Sequence, residues 1–283
     1  MDPAGKVALV TGASRGVGAA VAVALARAGA AVACAARSTS DAPQRTPGTL
    51  DETVARIRAE GGTALAVPTN LADEDEVHAM VARTIAEFGG LDILVNNAAI
   101  TFVGDLYVPM RRHDLMMEVN LRAPLLAIRD AAAAMAERGG GSIINVSSAA
   151  ALFPFPDTMS YGMSKIALER LTVDAARQLQ AQQIAVNCFR IDIAVASEGF
   201  LANTPGADHS TWEPPEVAAE GILWMIRQPA TYSGRRESMY ALREREGIMA
   251  SRAERLATPE LPPLELFDGL ATSRESMFRE PYD

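Results

Sequence analysis

Thr11-Gly12-Ala13-Ser14-Arg15-Gly16-Val17-Gly18 is the stretch that decides the fold. It separates an apolar run, Lys6–Val10, from a helix-length amphipathic segment, Val17–Ala28. Glycines in such a turn allow positive φ and a close approach of the backbone to a pyrophosphate, which the start of the next helix attracts through its free N–H groups. An ordinary glycine-rich turn would contain the same residues. Its position at the first strand–helix junction favours a dinucleotide-binding turn.

Outward from this turn, short apolar runs alternate with amphipathic segments of helical length. The predicted strands are Lys6–Val10, Ala31–Ala35, Thr63–Val67, Leu91–Val95, Gly141–Val146 and Ile184–Phe189. The predicted helices are Val17–Ala28, Leu50–Glu60, Asp73–Phe88, Arg112–Glu137 and Ser160–Gln180. The strands are apolar throughout, which indicates burial on both faces. The sequence therefore predicts an α/β fold: one Rossmann-type domain over residues 1–249, with a doubly wound, mostly parallel sheet and helices on both faces.

Two segments interrupt this alternation. Residues 38–49, rich in Pro, Ser and Thr, indicate a surface loop after the second strand. Residues 250–283 contain too many apolar side chains for a purely solvated tail, and we expect a C-terminal arm packed on its own domain or on a neighbouring subunit.

Composition excludes several classes of function. The formal charge is 26 − 35 = −9, without a basic stripe, which disfavours nucleic acid and anionic membranes as partners. Ala19–Ala36 is the most membrane-like stretch, but Arg27 and Gly29 interrupt it. Two separated cysteines within apolar runs indicate a reducing, cytoplasmic location rather than a disulfide framework. Together with three scattered histidines they predict no metal site.

Tyr161 and Lys165 stand four residues apart on a predicted helix, so a phenol and an ammonium share one face. A nearby cation favours phenolate and makes a tyrosine a better base. A solvated Tyr and Lys would explain an isolated pair equally well. Ser148 lies at the end of the fifth predicted strand, where α/β sheets place ligand-binding groups, and its hydroxyl can donate to a carbonyl oxygen. Ser147 is a close competitor for that role.

Two asparagines complete the pattern. Asn97 follows the fourth strand in Asn96-Asn97-Ala98-Ala99, and Asn120 lies in a helical stretch. Each has an ordinary structural alternative, since Asn is common in turns and exposed on helices.

The five motifs, in this order and spacing from about Lys6 to Gly234, resemble the short-chain dehydrogenase/reductase family in its branch of about 250 residues. The resemblance implies a nicotinamide-dependent oxidoreductase that acts on a carbonyl/alcohol pair. It implies that Tyr161 is the general acid/base, Lys165 binds the ribose and lowers the Tyr161 pKa, Ser148 polarises the substrate oxygen and Asn120 holds a water for proton relay. It further implies a homodimer or homotetramer.

The same resemblance implies the cofactor-binding residues. These are Gly12, Ser14, Arg15, Gly16, Val17, Gly18, Arg37, Asn70, Leu71, Asn97, Ala98, Tyr161 and Lys165. NAD-binding turns often end the second strand with an acid, but here Ala36 takes that place and Arg37 follows it. With Arg15 in the glycine turn, two guanidinium groups favour a 2′-phosphate, so we expect NADP(H) over NAD(H).

The sequence departs from the family at three places. Asn70 stands where relatives have an acid for the adenine amino group, and its amide oxygen can still accept that bond. Ile191-Asp192 replaces Pro-Gly after the sixth strand, and Ala196 takes the place of a cofactor-gripping Thr unless Ser197 substitutes with a one-residue shift. The third departure is the long C-terminal segment. An isomerase or lyase on the same fold, or a non-catalytic cofactor-binding homologue motivated by Ile191-Asp192, therefore stays open as an alternative.

The substrate side is apolar. Ala196–Glu213 is expected to close over the substrate, with Phe200, Leu201 and Trp212 beside Glu198, Asp208 and His209. Phe153, Phe155 and Met159 are expected to line the same pocket. These residues favour an apolar carbonyl or alcohol, although the aromatic rings would also serve simply to pack the loop.

Overall fold

The computed structural model describes residues 1–204 and 206–255. In this part of the chain one sheet of seven parallel strands runs in the order β3-β2-β1-β4-β5-β6-β7. The strands are β1 Val7–Thr11, β2 Ala31–Ala36, β3 Thr63–Pro68, β4 Ile93–Asn96, β5 Gly141–Ser148, β6 Ile184–Ile191 and β7 Arg236–Ser238. The predicted doubly wound parallel sheet is confirmed. Because the strand order reverses between β1 and β4, the carboxyl ends of these strands form the crevice where such sheets bind ligands.

Helices cover both faces of the sheet. They are α1 Gly16–Arg27, α2 Leu50–Ala59, α3 Glu74–Phe88, α4 Met110–Met117, α5 Ala123–Glu137, α6 Met159–Leu179, α7 Glu198–Asn203, α8 Pro215–Ile226 and α9 Met239–Glu246. One apolar core joins the sheet to α1, α2, α8 and α9, and a second joins it to α3, α5 and α6. The inner strands β1, β4, β5 and β6 are buried from both sides, as their continuous apolar sequences predict, whereas β3 at the edge of the sheet is only partly buried.

Local sequence explains where individual helices begin. At the start of α2, Thr49 accepts a hydrogen bond from the Glu52 N–H, while the Glu52 carboxylate accepts one from the Thr49 N–H at 2.9 Å. This reciprocal capping box satisfies two N–H groups that a helix start otherwise leaves unpaired. It therefore fixes the end of the 38–49 loop, which lies next to the glycine turn.

The predicted helix Arg112–Glu137 is helical throughout, but its hydrogen bonding changes in the middle. Between α4 and α5 the chain forms one π-helical turn, Glu118–Arg122, in which the Ala123 N–H donates to the Glu118 carbonyl five residues earlier. Pro124 explains the change, because it has no N–H for the carbonyl four residues before it, that of Asn120. Such turns are frequent at functional sites.

The predicted arm over residues 250–283 lies outside the described residues except for 250–255. Arg252 donates its N–H to Glu213 at 2.8 Å, and Arg255 donates its N–H to Ser210. These six residues therefore run along the end of the 196–213 segment.

Candidate active site

The glycine turn closes against the end of β4. The N–H groups of Asn97 and Ala98 donate to Thr11 Oγ1 at 3.0 and 3.1 Å, and Asn97 Nδ2 donates to the Thr11 carbonyl at 2.9 Å. Asn97 thus holds Thr11 in place, immediately before Gly12, which has φ +69°. Asn97, which was predicted to bind the cofactor, thus joins the end of β1 to the residue that follows β4.

Side chains would not fit in this turn. A β-carbon at Gly12 would lie 2.8 Å from Asn97 Nδ2, and one at Gly18 would lie 2.3 Å from the Gly12 carbonyl oxygen. At Gly16, with φ +55°, a β-carbon would lie 3.0 Å from Ser197 Cβ. The turn therefore has the close backbone approach that a dinucleotide cradle requires, and the residues present fit such a cofactor. Ser14 and Val17, also predicted to contact it, are buried beside the glycines.

Ser148, Tyr161 and Lys165 come together where β5 ends and α6 begins. The Ser148 hydroxyl lies close enough to the Tyr161 phenol to act on its pKa. Lys165 Nζ donates to the Val146 carbonyl at 2.8 Å and lies 5.7 Å from the centre of the Tyr161 ring. A hydroxyl, a phenol and an ammonium thus converge on one spot, which is the arrangement predicted from their spacing.

The electrostatics differ from the prediction in one respect. Burial raises the pKa of Tyr161 above its ordinary value, and the nearby Ser148 hydroxyl opposes that rise. Burial also lowers the pKa of Lys165, to about 8. The expected net lowering of the Tyr161 pKa by Lys165 is therefore not found. The physical reason is that the ammonium donates to a main-chain carbonyl, while the phenol pays the desolvation cost of an interior site.

Asn120 is buried in the π-helical turn rather than exposed on a helix. Its Nδ2 donates to the Ile100 carbonyl at 2.9 Å and to Ser164 Oγ at 3.0 Å, and its Oδ1 accepts from the Ile100 N–H. Ser164 in turn donates to the Tyr161 carbonyl at 2.7 Å. Both amide hydrogens are used within the protein, so the side chain links the 100–109 loop to the start of α6. Ser164 was missed in the sequence, where its position three residues after Tyr161 was the available signal.

The two candidate serines at the end of β5 point to different partners. Ser147 is buried and donates to Glu169 Oε1 at 2.8 Å, whereas Ser148 reaches Tyr161. Successive side chains on a strand point to opposite faces, so only one of the two can face the site. The structure thus favours Ser148 over Ser147.

Asp192 points toward the start of α9. Its Oδ1 accepts the Tyr240 N–H at 3.0 Å, and Ser238 provides a further side-chain hydrogen bond. Burial raises the pKa of Asp192, and these hydrogen bonds oppose the rise. The carboxylate therefore has a structural explanation. The replacement of Pro-Gly by Ile191-Asp192 no longer requires a failed nicotinamide site.

The opposite side of the crevice holds the residues predicted for the adenosine end. Arg37 and Asn70 line an open cleft of about 330 Å³ together with Pro68, Thr69 and Glu76. Asn70 Oδ1 accepts the Ala72 N–H at 3.3 Å. Leu71 and Ala98 line a narrow crevice that also contains Thr11 and Asn96.

Arg15 is more constrained than its sequence position suggested. Its Nε and Nη2 donate to the carbonyls of Pro47 and Gly48 at 2.7 and 2.8 Å. Burial lowers its pKa, and nearby Glu198 opposes that effect. Arg15 therefore fixes the 38–49 loop over the glycine turn, and Arg37 is the more accessible guanidinium at the cleft.

The segment after β6 brings Ser197 to the glycine turn. Ser197, rather than Ala196, lies against Gly16, in agreement with a one-residue shift of the expected Thr position. Within the described residues, Glu198 Oε2 is buried beside Gly16 without a hydrogen-bond partner. Phe200 stacks on Trp212, with ring centres 4.5 Å apart. These two aromatic rings therefore pack the 196–213 segment against itself. This is the second of the two interpretations given for them from the sequence, the first being that they line a substrate pocket.

Further along this segment, His209 contacts Trp212, with ring centres 4.3 Å apart. Asp208 accepts a hydrogen bond from the Ser210 N–H and pairs with Arg255. Both side chains thus have structural partners within the segment or beside it.

Comparison with known proteins agrees with this geometry. The family model described as short chain dehydrogenase matches residues 6–194. The chain belongs to the short-chain dehydrogenase family. Hydroxysteroid dehydrogenase-like protein 2 of Danio rerio is 32% identical over 250 residues, which is 87% of this chain and 59% of that protein. The chain thus spans about 59% of the length of that curated relative.

Two solved structures extend the similarity to the fold. A short chain dehydrogenase from Mycobacterium thermoresistibile has a TM-score of 0.79 at 27% identity, covering 92% of this chain and 98% of that one. A short chain dehydrogenase from Burkholderia cenocepacia in complex with NADP has a TM-score of 0.74 at 31% identity, covering 84% and 97%. The short-chain dehydrogenase fold therefore extends over nearly all the described residues.

Residues 1–204 and 206–255 were also searched for membrane-spanning helices and for metal-binding clusters. In these ranges no helix is both long and apolar enough to cross a bilayer. The same ranges hold no group of three or more His, Cys, Asp or Glu side chains arranged to bind a metal ion.

Proposed function

We propose that this short-chain dehydrogenase is an NADP(H)-dependent oxidoreductase for an apolar carbonyl/alcohol pair, with Tyr161 as the general acid/base. The convergence of Ser148, Tyr161 and Lys165 at the carboxyl end of β5 carries the proposal. The nicotinamide, when bound, supplies or accepts the hydride. The protein residues bind the substrate oxygen and move the proton.

The roles follow from the contacts. The Ser148 hydroxyl and the Tyr161 phenol lie close to each other, and both face the place where a carbonyl oxygen would accept a bond. Because burial keeps the phenol protonated, Tyr161 is well suited to donate its proton to an alkoxide as reduction proceeds. Lys165 and the glycine turn would hold the cofactor. Asn120, with both amide hydrogens engaged, fixes the start of α6, and we propose that a relay water binds its remaining acceptor capacity.

Tyr161→Phe tests the proton-donor role, since it removes the hydroxyl and keeps the ring. Turnover of ketones, aldehydes or quinones with NADPH should fall by at least about 10²-fold, the lower range for general acid–base catalysis, while NADPH affinity stays near that of the wild type. Tyr240→Phe, on the exposed side of α9, is the matched control and should leave turnover unchanged. Near-normal turnover in Tyr161→Phe would contradict the assignment.

The coenzyme preference is supported by Arg37, which follows β2 directly and lines the open cleft. The Burkholderia cenocepacia relative was solved with NADP. A well-formed contact between a guanidinium and a 2′-phosphate contributes about 1.5–3 kcal/mol. Arg37→Asp should therefore weaken NADPH binding by about tenfold or more while NADH binding changes little. Arg45→Asp, an equal charge change on the exposed loop, is the control. Tighter binding of NADH than NADPH by the wild type would refute the preference.

An apolar substrate is supported by the surface beside the site. Gly104 donates its N–H to the Asp157 carbonyl at 2.9 Å, which holds the 100–109 loop next to the start of α6. This loop exposes large apolar side chains, and Met159 at the start of α6 is also exposed. The loop residues are Val103, Leu106 and Tyr107, and Met110 at the start of α4 adjoins them. Exposed apolar clusters of this kind mark binding surfaces for apolar ligands or partners.

Assembly and location remain predictions. We propose a homodimer or homotetramer, because α5 and α6 expose Leu125, Met163 and Ile166. Cys34 and Cys188 are both buried free thiols, which supports a reducing, cytoplasmic environment. Light scattering of the purified protein would test the assembly.

A further inference from the structure

A buried ion pair lies one helical turn beyond Lys165. Glu169 has no exposed surface, and both of its oxygens accept hydrogen bonds from Arg190, at 2.8 and 2.5 Å. Ser147 donates to the same carboxylate at 2.8 Å. The proposed reaction uses none of these three side chains directly, although all are buried within a few residues of the site.

The position of this cluster connects it to the site in two ways. Ser147 on β5 and Arg190 on β6 are register partners. Glu169 therefore joins α6 to both strands, one residue before Ser148. Tyr161, Lys165 and Glu169 are spaced by four residues on α6 and therefore lie along one helix face. A change at Glu169 thus affects both the docking of this face and the charge next to Lys165.

We propose that Glu169 is a positioning residue: through Ser147 and Arg190 it fixes α6 against β5 and β6, and its negative charge keeps the buried Lys165 ammonium protonated. The inference rests on the proposed role of Lys165 in binding the cofactor ribose. Burial lowers the pKa of Lys165 to about 8, and Glu169 acts in the opposite direction. Without Glu169, the ammonium would lose its proton at lower pH and with it a hydrogen-bond donor for the cofactor.

Other ionisable groups around Lys165 are accounted for. Cys188 on β6 acts on Lys165 together with Glu169, and Tyr161 lies on the same helix face. Arg190 on β6 and Arg236 on β7 act on Glu169 and Cys188, and His113 of α4 contacts Ser160 at 3.0 Å. Burial raises the pKa of Cys188 far above neutrality, so this thiol carries no charge in the pH range of the test. Glu169 is thus the negative charge that acts on Lys165, and Arg190 is the positive partner that partly neutralises it.

The test measures NADPH affinity as a function of pH, by fluorescence titration from neutral to alkaline pH. The wild type should lose affinity as pH rises through the pKa of Lys165, about 8. Glu169→Gln removes a negative charge and should move this alkaline limb to lower pH by about one unit or more. Arg190→Gln removes a positive charge from the same ion pair and should move the limb to higher pH.

The opposite signs separate the proposal from a purely structural role. Both variants disrupt the paired hydrogen bonds between Arg190 and Glu169, so a structural role of this ion pair alone predicts the same direction of change for both. Glu169→Asp keeps the charge and should retain the wild-type limb. Asp174→Asn, which removes an exposed carboxylate from the same helix, should not move it.

Shifts in the same direction, or no shift, would overturn the proposal. If Glu169→Gln does not fold, Arg190→Gln and Glu169→Asp decide it by the same criteria. If the wild type binds no NADPH at any pH, the proposed function fails instead. The two failures are therefore distinguishable.

Discussion

The contact between Gly18 and Asn97 offers a sharp test of how the glycine turn is built. In Gly18→Ala the new β-carbon would lie 2.3 Å from the Gly12 carbonyl oxygen and 2.4 Å from Asn97 Nδ2. Neither neighbour can move cheaply. The first is backbone, and the second donates to the Thr11 carbonyl at 2.9 Å.

The magnitude follows from two contributions. Overpacking at a rigid contact costs about 1–3 kcal/mol, and leaving the Asn97 amide and the Thr11 carbonyl unpaired costs about 1–3 kcal/mol more. Replacing Gly by Ala within a helix returns about 0.5–1 kcal/mol. We expect a net loss of about 2–4 kcal/mol in the free energy of unfolding, or roughly 5–15 °C in Tm for a domain of this size.

Thermal unfolding and NADPH titration measure the two consequences. NADPH affinity should fall by at least about tenfold, because the displaced turn no longer presents its N–H groups to the diphosphate. Gly199→Ala is the matched control, since a β-carbon there meets no atom within 4 Å and α7 tolerates alanine. A Gly18→Ala protein with the Tm and NADPH affinity of the wild type would refute this account of the turn.

Two further predictions concern buried carboxylates. Asp92→Asn should lower the free energy of unfolding by about 2–4 kcal/mol in urea, somewhat less than for a fully buried pair because its partner Arg138 is 34% exposed. Burial acts to raise the pKa of Asp92, but hydrogen bonds from Arg138 and the Val7 N–H outweigh it and lower the pKa. The stabilisation is therefore complete above about pH 4 and is lost as pH falls. The free energy of unfolding of the variant should accordingly decrease less steeply at acid pH than that of the wild type. Asp192→Asn keeps an oxygen that can accept the Tyr240 N–H, so it should change the free energy of unfolding by less than about 1 kcal/mol and leave the NADP⁺/NADPH affinity ratio unchanged in calorimetric titrations; a shifted ratio would show that this carboxylate acts on the nicotinamide.

Six of the seven strands in the described residues were predictable because their signals are local, whereas the short, polar β7 was missed. Apolar β-branched runs bounded by glycine and polar residues placed β2 and β3 to within one residue at each end. The helix from Arg112 to Glu137 was predicted, but its π-helical turn was not, because apolar periodicity does not report the hydrogen-bond register of a helix. Pro124 was the local signal, since a proline removes one helical donor and changes the bonding of the turn before it.

The sequence predicted which candidate side chains share a helix face, but not which hydrogen-bond partners they have. The spacing of Tyr161 and Lys165 placed both on one helix face, as observed. The hydrogen bonds of Arg15 to the 38–49 loop depend on how a distant segment folds back, which no local pattern reveals. The balance between burial and charge at Tyr161 likewise depends on the packing around the phenol.

The segment after β6 shows why a missing motif need not mean a missing function. Where relatives are expected to fix the backbone with Pro-Gly, this chain fixes it by tertiary contacts. Asp192 accepts the Tyr240 N–H, and Glu213 exchanges main-chain hydrogen bonds with Ala194 and Ala196 while its buried carboxylate binds Arg243. Both anchors belong to α9, which lies about 50 residues further along the chain than Asp192. The conformation of the 196–213 segment, and with it the cover over Gly16, thus depends on α9, whose contacts hold the backbone where Pro-Gly was expected to do so.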